Sequence, residues 1–170
     1  MDNLTWMSNR QFNYSFMPTK QIVLLLCLLV FMSFIGCANL ATGRVTPGID
    51  IMQFNKFYVV KFQPDGRGIN MLIRDELQVM GFEAMTGPEN EVPEDAEAIV
   101  TYRDNWMWDI TMYMIKLKIL IHNPETQRLL ATGRSYHTSL TRKSPEEMVS
   151  EVLSNIFHKS SNVKTKTSQD

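Results

Sequence analysis

From Ile22 to Ile35 the chain reads IVLLLCLLVFMSFI, fourteen residues without a charge, with Lys20 before the run and Gly36, Cys37 and Ala38 after it. A membrane-spanning helix needs about 20 apolar residues to cross about 30 Å of hydrocarbon. This run reaches that length only if Gln21, Ser33, Gly36 and Asn39 are counted. Its length and flanks therefore predict a secretory leader over residues 1–36, with a signal anchor retained in the inner membrane and a buried core helix as the alternatives. The residues ahead of it, MDNLTWMSNRQFNYSF, are long and poorly charged for the start of a leader. Starting at Met17 instead gives Met-Pro-Thr-Lys-Gln and then the apolar run, so Met17 is a candidate true start.

The end of the run resembles the lipobox of bacterial lipoproteins, in which a small residue precedes a cysteine that is acylated and then becomes the mature amino terminus. Gly36 and Cys37 match that pattern, and Phe34 stands where the family usually has Leu. The resemblance implies cleavage between Gly36 and Cys37, with lipid carried on Cys37. It further implies the outer membrane, because Ala38 rather than Asp follows the cysteine. Each buried methylene of an acyl chain contributes about 0.8 kcal/mol, and two or more chains anchor a protein stably. The expected product is membrane-attached through lipid, with 134 residues on the periplasmic face.

Composition then excludes several classes. Lys and Arg number 17 against 18 Asp and Glu, so the chain lacks the positive field with which a nucleic-acid binder displaces phosphate counterions. The two cysteines, Cys27 and Cys37, are too few for a disulfide-stapled scaffold or a cysteine-rich zinc site.

Residues 38–53 mix Gly, Pro, Thr and Asn with little periodicity and read as a tether, with the folded domain spanning 54–159. Phe57 to Phe62 is a strand. Ile69, Leu72, Ile73, Leu77 and Met80 recur at helical spacing, and Gly81 caps that helix. Phe82 to Met85 should be a second strand, parallel to the first because a helix joins them. After an acidic loop come Ala98 to Tyr102, a turn at Asp104-Asn105, and a long strand from Trp106 to His122. Its odd positions, Tyr113 to Ile121, should face the core. Asn123-Pro124-Glu125-Thr126 turns into a strand over Arg128 to His137, where Gly133 marks a bulge or a close approach. Ser144-Pro145-Glu146-Glu147 combines a capping box with proline at the first helical position. Residues 160–170 have little to bury and read as a disordered tail. The order β-α-β-β-β-β-α predicts an α+β two-layer sandwich, a mixed and mostly antiparallel sheet with two helices on one face.

The leader, the single crossover helix, the Asn-Pro-Glu-Thr-Gln hairpin leading into Leu129-Leu130-Ala131-Thr132-Gly133, and the closing helix together look like small envelope lipoproteins of unknown function. Their domain is similar to the amino-terminal domain of TolB and to the core of CsgG. That resemblance implies a non-enzymatic part in envelope assemblies.

No catalytic constellation emerges from the residues. His122, His137 and His158 are dispersed, and none belongs to a metal-binding or Cys-His motif. Gly66-Arg67-Gly68 reads as a tight turn before an anion cradle. Asp104 and Asp109 read as turn and strand-end residues before an acid–base pair. The unusual cluster is DNWMWDITMYM, residues 104–114. Strand alternation puts Trp106, Trp108, Met112 and Met114 on one face, expected to be the helix-free one. Large apolar groups there either pack under another segment or form a surface for an envelope partner or a second copy. The rival is a periplasmic copper protein, since thioethers select Cu(I) and Met112 and Met114 lie two apart, with His122 and His137 as remote candidates. The expectation carried forward has no cofactor, metal or catalytic residue, no nucleic-acid partner, and a lipid-anchored interaction or assembly module.

Overall fold

The computed structural model describes residues 40–62 and 66–167, together with Lys20 and Val23. Gly36 and Cys37, on which the leader and anchor expectations fall, lie outside the described residues. Among those described, no helix is long and apolar enough to cross a membrane.

Six strands and two helices build the domain: β1 (Leu40–Val45), β2 (Lys56–Val60), α1 (Ile69–Val79), β3 (Glu83–Gly87), β4 (Ala98–Asp109), β5 (Thr111–His122), β6 (Leu129–Tyr136) and α2 (Pro145–Thr167). The sheet order is β1-β6-β5-β4-β2-β3. Strand β2 runs parallel to both β3 and β4, whereas β4-β5, β5-β6 and β6-β1 are antiparallel. The helices pack on each other and on one face of this mixed sheet, so the expected two-layer α+β sandwich is the observed fold.

The helices follow from local chemistry. Ile69, Ile73 and Leu77 are fully buried along one face of α1. Gly81 adopts φ 93°, and the Gly81 and Phe82 amides donate to the carbonyls of Gln78 and Leu77, closing the helix through a left-handed residue that only glycine adopts cheaply. At the start of α2, the Glu147 amide donates to Ser144 Oγ at 3.2 Å and the Ser144 amide to the Glu147 carboxylate at 2.8 Å. Both helices cover a core in which Phe57, Phe82 and Phe157 meet edge-on or tilted.

Three expectations about boundaries are corrected. The segment 38–53 is not simply a tether, because Leu40–Val45 forms edge strand β1 and Ile51 is completely buried. What fits β1 to the sheet is backbone rather than side-chain pattern. Gly43 pairs with Gly133 across β1-β6, and both face α2, where a Cβ on Gly43 would overlap the Asn155 carbonyl and one on Gly133 would press on Val152 and Ile156. Close approach, not a bulge, therefore explains Gly133. Secondly, β4 does not turn at Asp104-Asn105 but continues to Asp109, and the reversal falls at Ile110 with φ 57°. Thirdly, the helical backbone of α2 continues to Thr167, through most of the expected tail.

Candidate functional site

Strands β4 and β5, twelve residues each, are longer than their neighbours. Pairing of β2 with β4 ends at Val100, and pairing of β6 with β5 ends at Lys116. Beyond those points the two strands continue as a two-stranded arm that reverses at Ile110.

The arm holds the Trp–Met cluster. Trp106 pairs with Met114 and Trp108 with Met112, so these four residues share one face as alternation predicted. It is the opposite face from the expected one. The register shifts between Asn105 and Trp106, where Asn105 faces Lys116 but Trp106 faces Met114, leaving Ile115 as an extra residue in β5. A bulge of one residue exchanges the faces of everything beyond it. Leu117, Ile119 and Ile121 point into the core at odd positions, but past Ile115 it is Met114 that does so, only 1% exposed. On β4 the core positions Ala98, Val100 and Tyr102 run straight on into Asp104, Trp106 and Trp108. Trp106 packs partly buried against the core, whereas Trp108 is 70% exposed and Met112 47%. The four residues thus form a gradient from core to solvent, and Ile110 at the tip is 88% exposed.

Two arginines brace the arm. The Arg142 guanidinium donates to Thr111 Oγ1 at 2.9 Å and to the carbonyl and carboxylate of Asp109 at 3.2 and 3.0 Å, and it stacks 4.1 Å from the Tyr113 ring. The Arg67 guanidinium lies 4.3 Å from the ring of Trp106 on the other side. Asp104 accepts a hydrogen bond from the Trp106 indole. Asp104 and Asp109 therefore have separate partners and do not converge as an acid–base pair, and Gly68 serves as the left-handed residue that starts α1.

A second cluster went unread in the sequence. Glu151 on α2 accepts from Ser135 Oγ at 2.6 Å and lies 2.8 Å from His137 Nε2 through one oxygen, while Lys143 Nζ stands 2.6 Å from the other. Burial pushes the Glu151 carboxyl up, but the hydrogen bonds from Lys143, Ser135 and His137, with the Lys143 charge, outweigh it and bring the group down to about 2. Serine and histidine both bond the carboxylate rather than each other, so this is no nucleophile–base relay. It fastens α2 to β6. The readable signal was parity: Ser135 and His137 share the buried face of β6 with Ala131 and Gly133.

His122 Nδ1 is 3.4 Å from the Gln127 carbonyl and His137 is bound to Glu151, so neither histidine is turned toward Met112. No group of three His, Cys, Asp or Glu side chains suited to a metal occurs among the described residues. The helix-free face carries a groove of about 790 Å³ lined by Phe62, Pro88, Tyr102, Arg103 and Leu120 among others.

Fold and site together define a two-layer α+β domain with a projecting β arm. No protein-family model matches the chain, and no curated protein matches it in sequence. Among solved structures, it is similar to the PelC dodecamer from Paraburkholderia phytofirmans, with TM-score 0.52 and 13% identity over 69% of this chain and 98% of that one. A point variant of that dodecamer gives 0.52 and 14% over 68% and 97%. A PDZ domain protein from Parabacteroides distasonis gives 0.42 and 12% over 65% and 32%. The PelC likeness is one of fold.

Proposed function

We propose that the chain is a non-enzymatic assembly module of the bacterial envelope, anchored by lipid on Cys37 to the periplasmic face of the outer membrane and self-associating through the tip of the β4–β5 arm. The observation that carries this reading is the exposure of Trp108, Ile110 and Met112 on an arm held by Arg142 and Arg67. Apolar groups presented in water mark interfaces, and a braced support reduces the ordering cost of contact. The lipobox-like Gly36-Cys37 and the following Ala38 support the address. The fold neighbours from Paraburkholderia are dodecamers, which supports self-association as the mode of assembly.

The test has two arms. Metabolic labelling with an alkyne palmitate analogue should mark the wild type and not Cys37→Ser, and equal labelling of both would refute the anchor. Sedimentation of the full chain in detergent should show an oligomer that Trp108→Ala weakens with little change in melting, because a solvent-facing residue contributes little to the core. A monomeric wild type, or a Trp108→Ala variant that melts much lower yet assembles normally, would refute the arm as an interface.

A further inference from the structure

The sheet carries cations on its helix-free face and carboxylates at its β3 edge. On the helix-free face, the outward positions of β1, β6, β5 and of β4 as far as Asn105 hold Arg44, Arg134, Lys116, Lys118 and Arg103 and no carboxylate. Three of these form one row, since Arg134 pairs with Lys118 and Lys118 with Arg103 across adjacent strands. Like charges directly opposite on neighbouring strands destabilise a sheet. None of the five makes an ion pair among the described residues. Edge strand β3 and the loop after it expose Glu83, Glu91 and Glu94, which make no ion pair among the described residues, although Glu83 stands opposite Lys56 in register. Two of their neighbours are engaged: Asp95 pairs with Lys56 at 2.7 Å, and Glu97 accepts from the Asn55 and Lys56 amides. The cationic row and the carboxylates of the β3 edge are opposite in charge, so the two surfaces are complementary between copies.

We infer that the basic face of one copy docks against the acidic β3 edge of a second copy. The two patches differ, so the contact is heterologous, and successive copies joined this way form a ring where the rotation closes. This inference rests on the self-association proposed above and adds to it the direction of assembly: the arm supplies apolar contact, and the basic face and acidic edge set head to tail. Strand β3 is an edge strand, paired on one side only.

The test uses the full chain in detergent. Sedimentation should show assembly weakening by about tenfold or more toward 1 M salt, where the screening length falls to about 3 Å. A face variant (Arg103→Glu, Lys118→Glu, Arg134→Glu) and an edge variant (Glu83→Lys, Glu91→Lys, Glu94→Lys) should each dissociate. An equimolar mixture of the two should reassemble, because the reversed face meets the reversed edge and the two untouched patches still meet each other. The single change Lys118→Glu guards against misfolding. It places an anion between Arg103 and Arg134, so it should raise the melting temperature while weakening assembly. Triple variants that assemble like the wild type, a mixture that stays dissociated, or Lys118→Glu that assembles normally would overturn the head-to-tail contact and leave self-association standing. A wild type that is monomeric at every salt concentration would overturn both.

Discussion

Acid should loosen α2 from β6 through a single carboxylate. Glu151 has a folded-state value of about 2 against an ordinary 4.5, so it is depressed on folding. A group of that kind contributes stability that is fully present above the unfolded value and is lost as the pH falls through the folded one, here between about 4.5 and 2. A depression of that size at about 1.36 kcal/mol per unit corresponds to about 3 kcal/mol. The side chain keeps 18% exposure, and screening by water at that opening reduces the contribution to about 2 kcal/mol. Urea unfolding of residues 38–170, which form one compact unit, measures it across the pH range. Glu151→Gln keeps the shape and removes the charge that faces Lys143 and His137. At neutral pH it should be less stable than the wild type by about that amount, and the two stability curves should converge as the pH approaches about 2. A difference between the two proteins that stays constant from neutral pH to the acid end would refute the assignment, because the network would then be worth the same with or without the charge.

Two further pairs of substitutions test the packing. Met114→Ala should cost about 2–5 kcal/mol and Met112→Ala under about 0.5 kcal/mol by the same unfolding assay, since only the first empties a buried site; equal costs would mean that the bulge at Ile115 is misplaced. Gly43→Ala should destabilise by about 1–3 kcal/mol because its Cβ would meet the Asn155 backbone, whereas Gly66→Ala, with open space around it, should not; a Gly43→Ala variant as stable as the wild type would show that α2 does not approach β1 this closely.

Both helices were legible because their signals are local. Ser144 and Glu147 cap α2 three residues apart, and Gly81 stands two residues past Val79, the last residue of α1. Strand β2, helix α1 and strand β3 could be read as a parallel unit for the same reason, since a helix between two strands leaves little choice of direction. Strand β1 was hidden because nothing local makes it a strand: Thr42, Gly43 and Arg44 acquire that state from β6, about ninety residues away, and from a helix backbone that requires glycine. The Ser135–Glu151–His137 cluster was hidden similarly, since it exists only once β6 and α2 are placed face to face.

The arm shows how a correct grouping can survive a wrong premise. Reading 106–122 as one strand put Trp106, Trp108, Met112 and Met114 together because all four have even numbers. The chain in fact reverses at Ile110, and residues equidistant from that point pair across the hairpin: 108 with 112 and 106 with 114. Reflection about an even-numbered residue preserves parity, so the grouping is the same for a strand and for a hairpin. The face is not preserved. It depends on where the arm joins the sheet, and there the single extra residue Ile115 turns Met114 inward against a core that the numbering alone would have placed on the other side. Composition and alternation therefore sufficed to name the residues that stand together, while a one-residue bulge decided which two of them, Trp108 and Met112, remain in water.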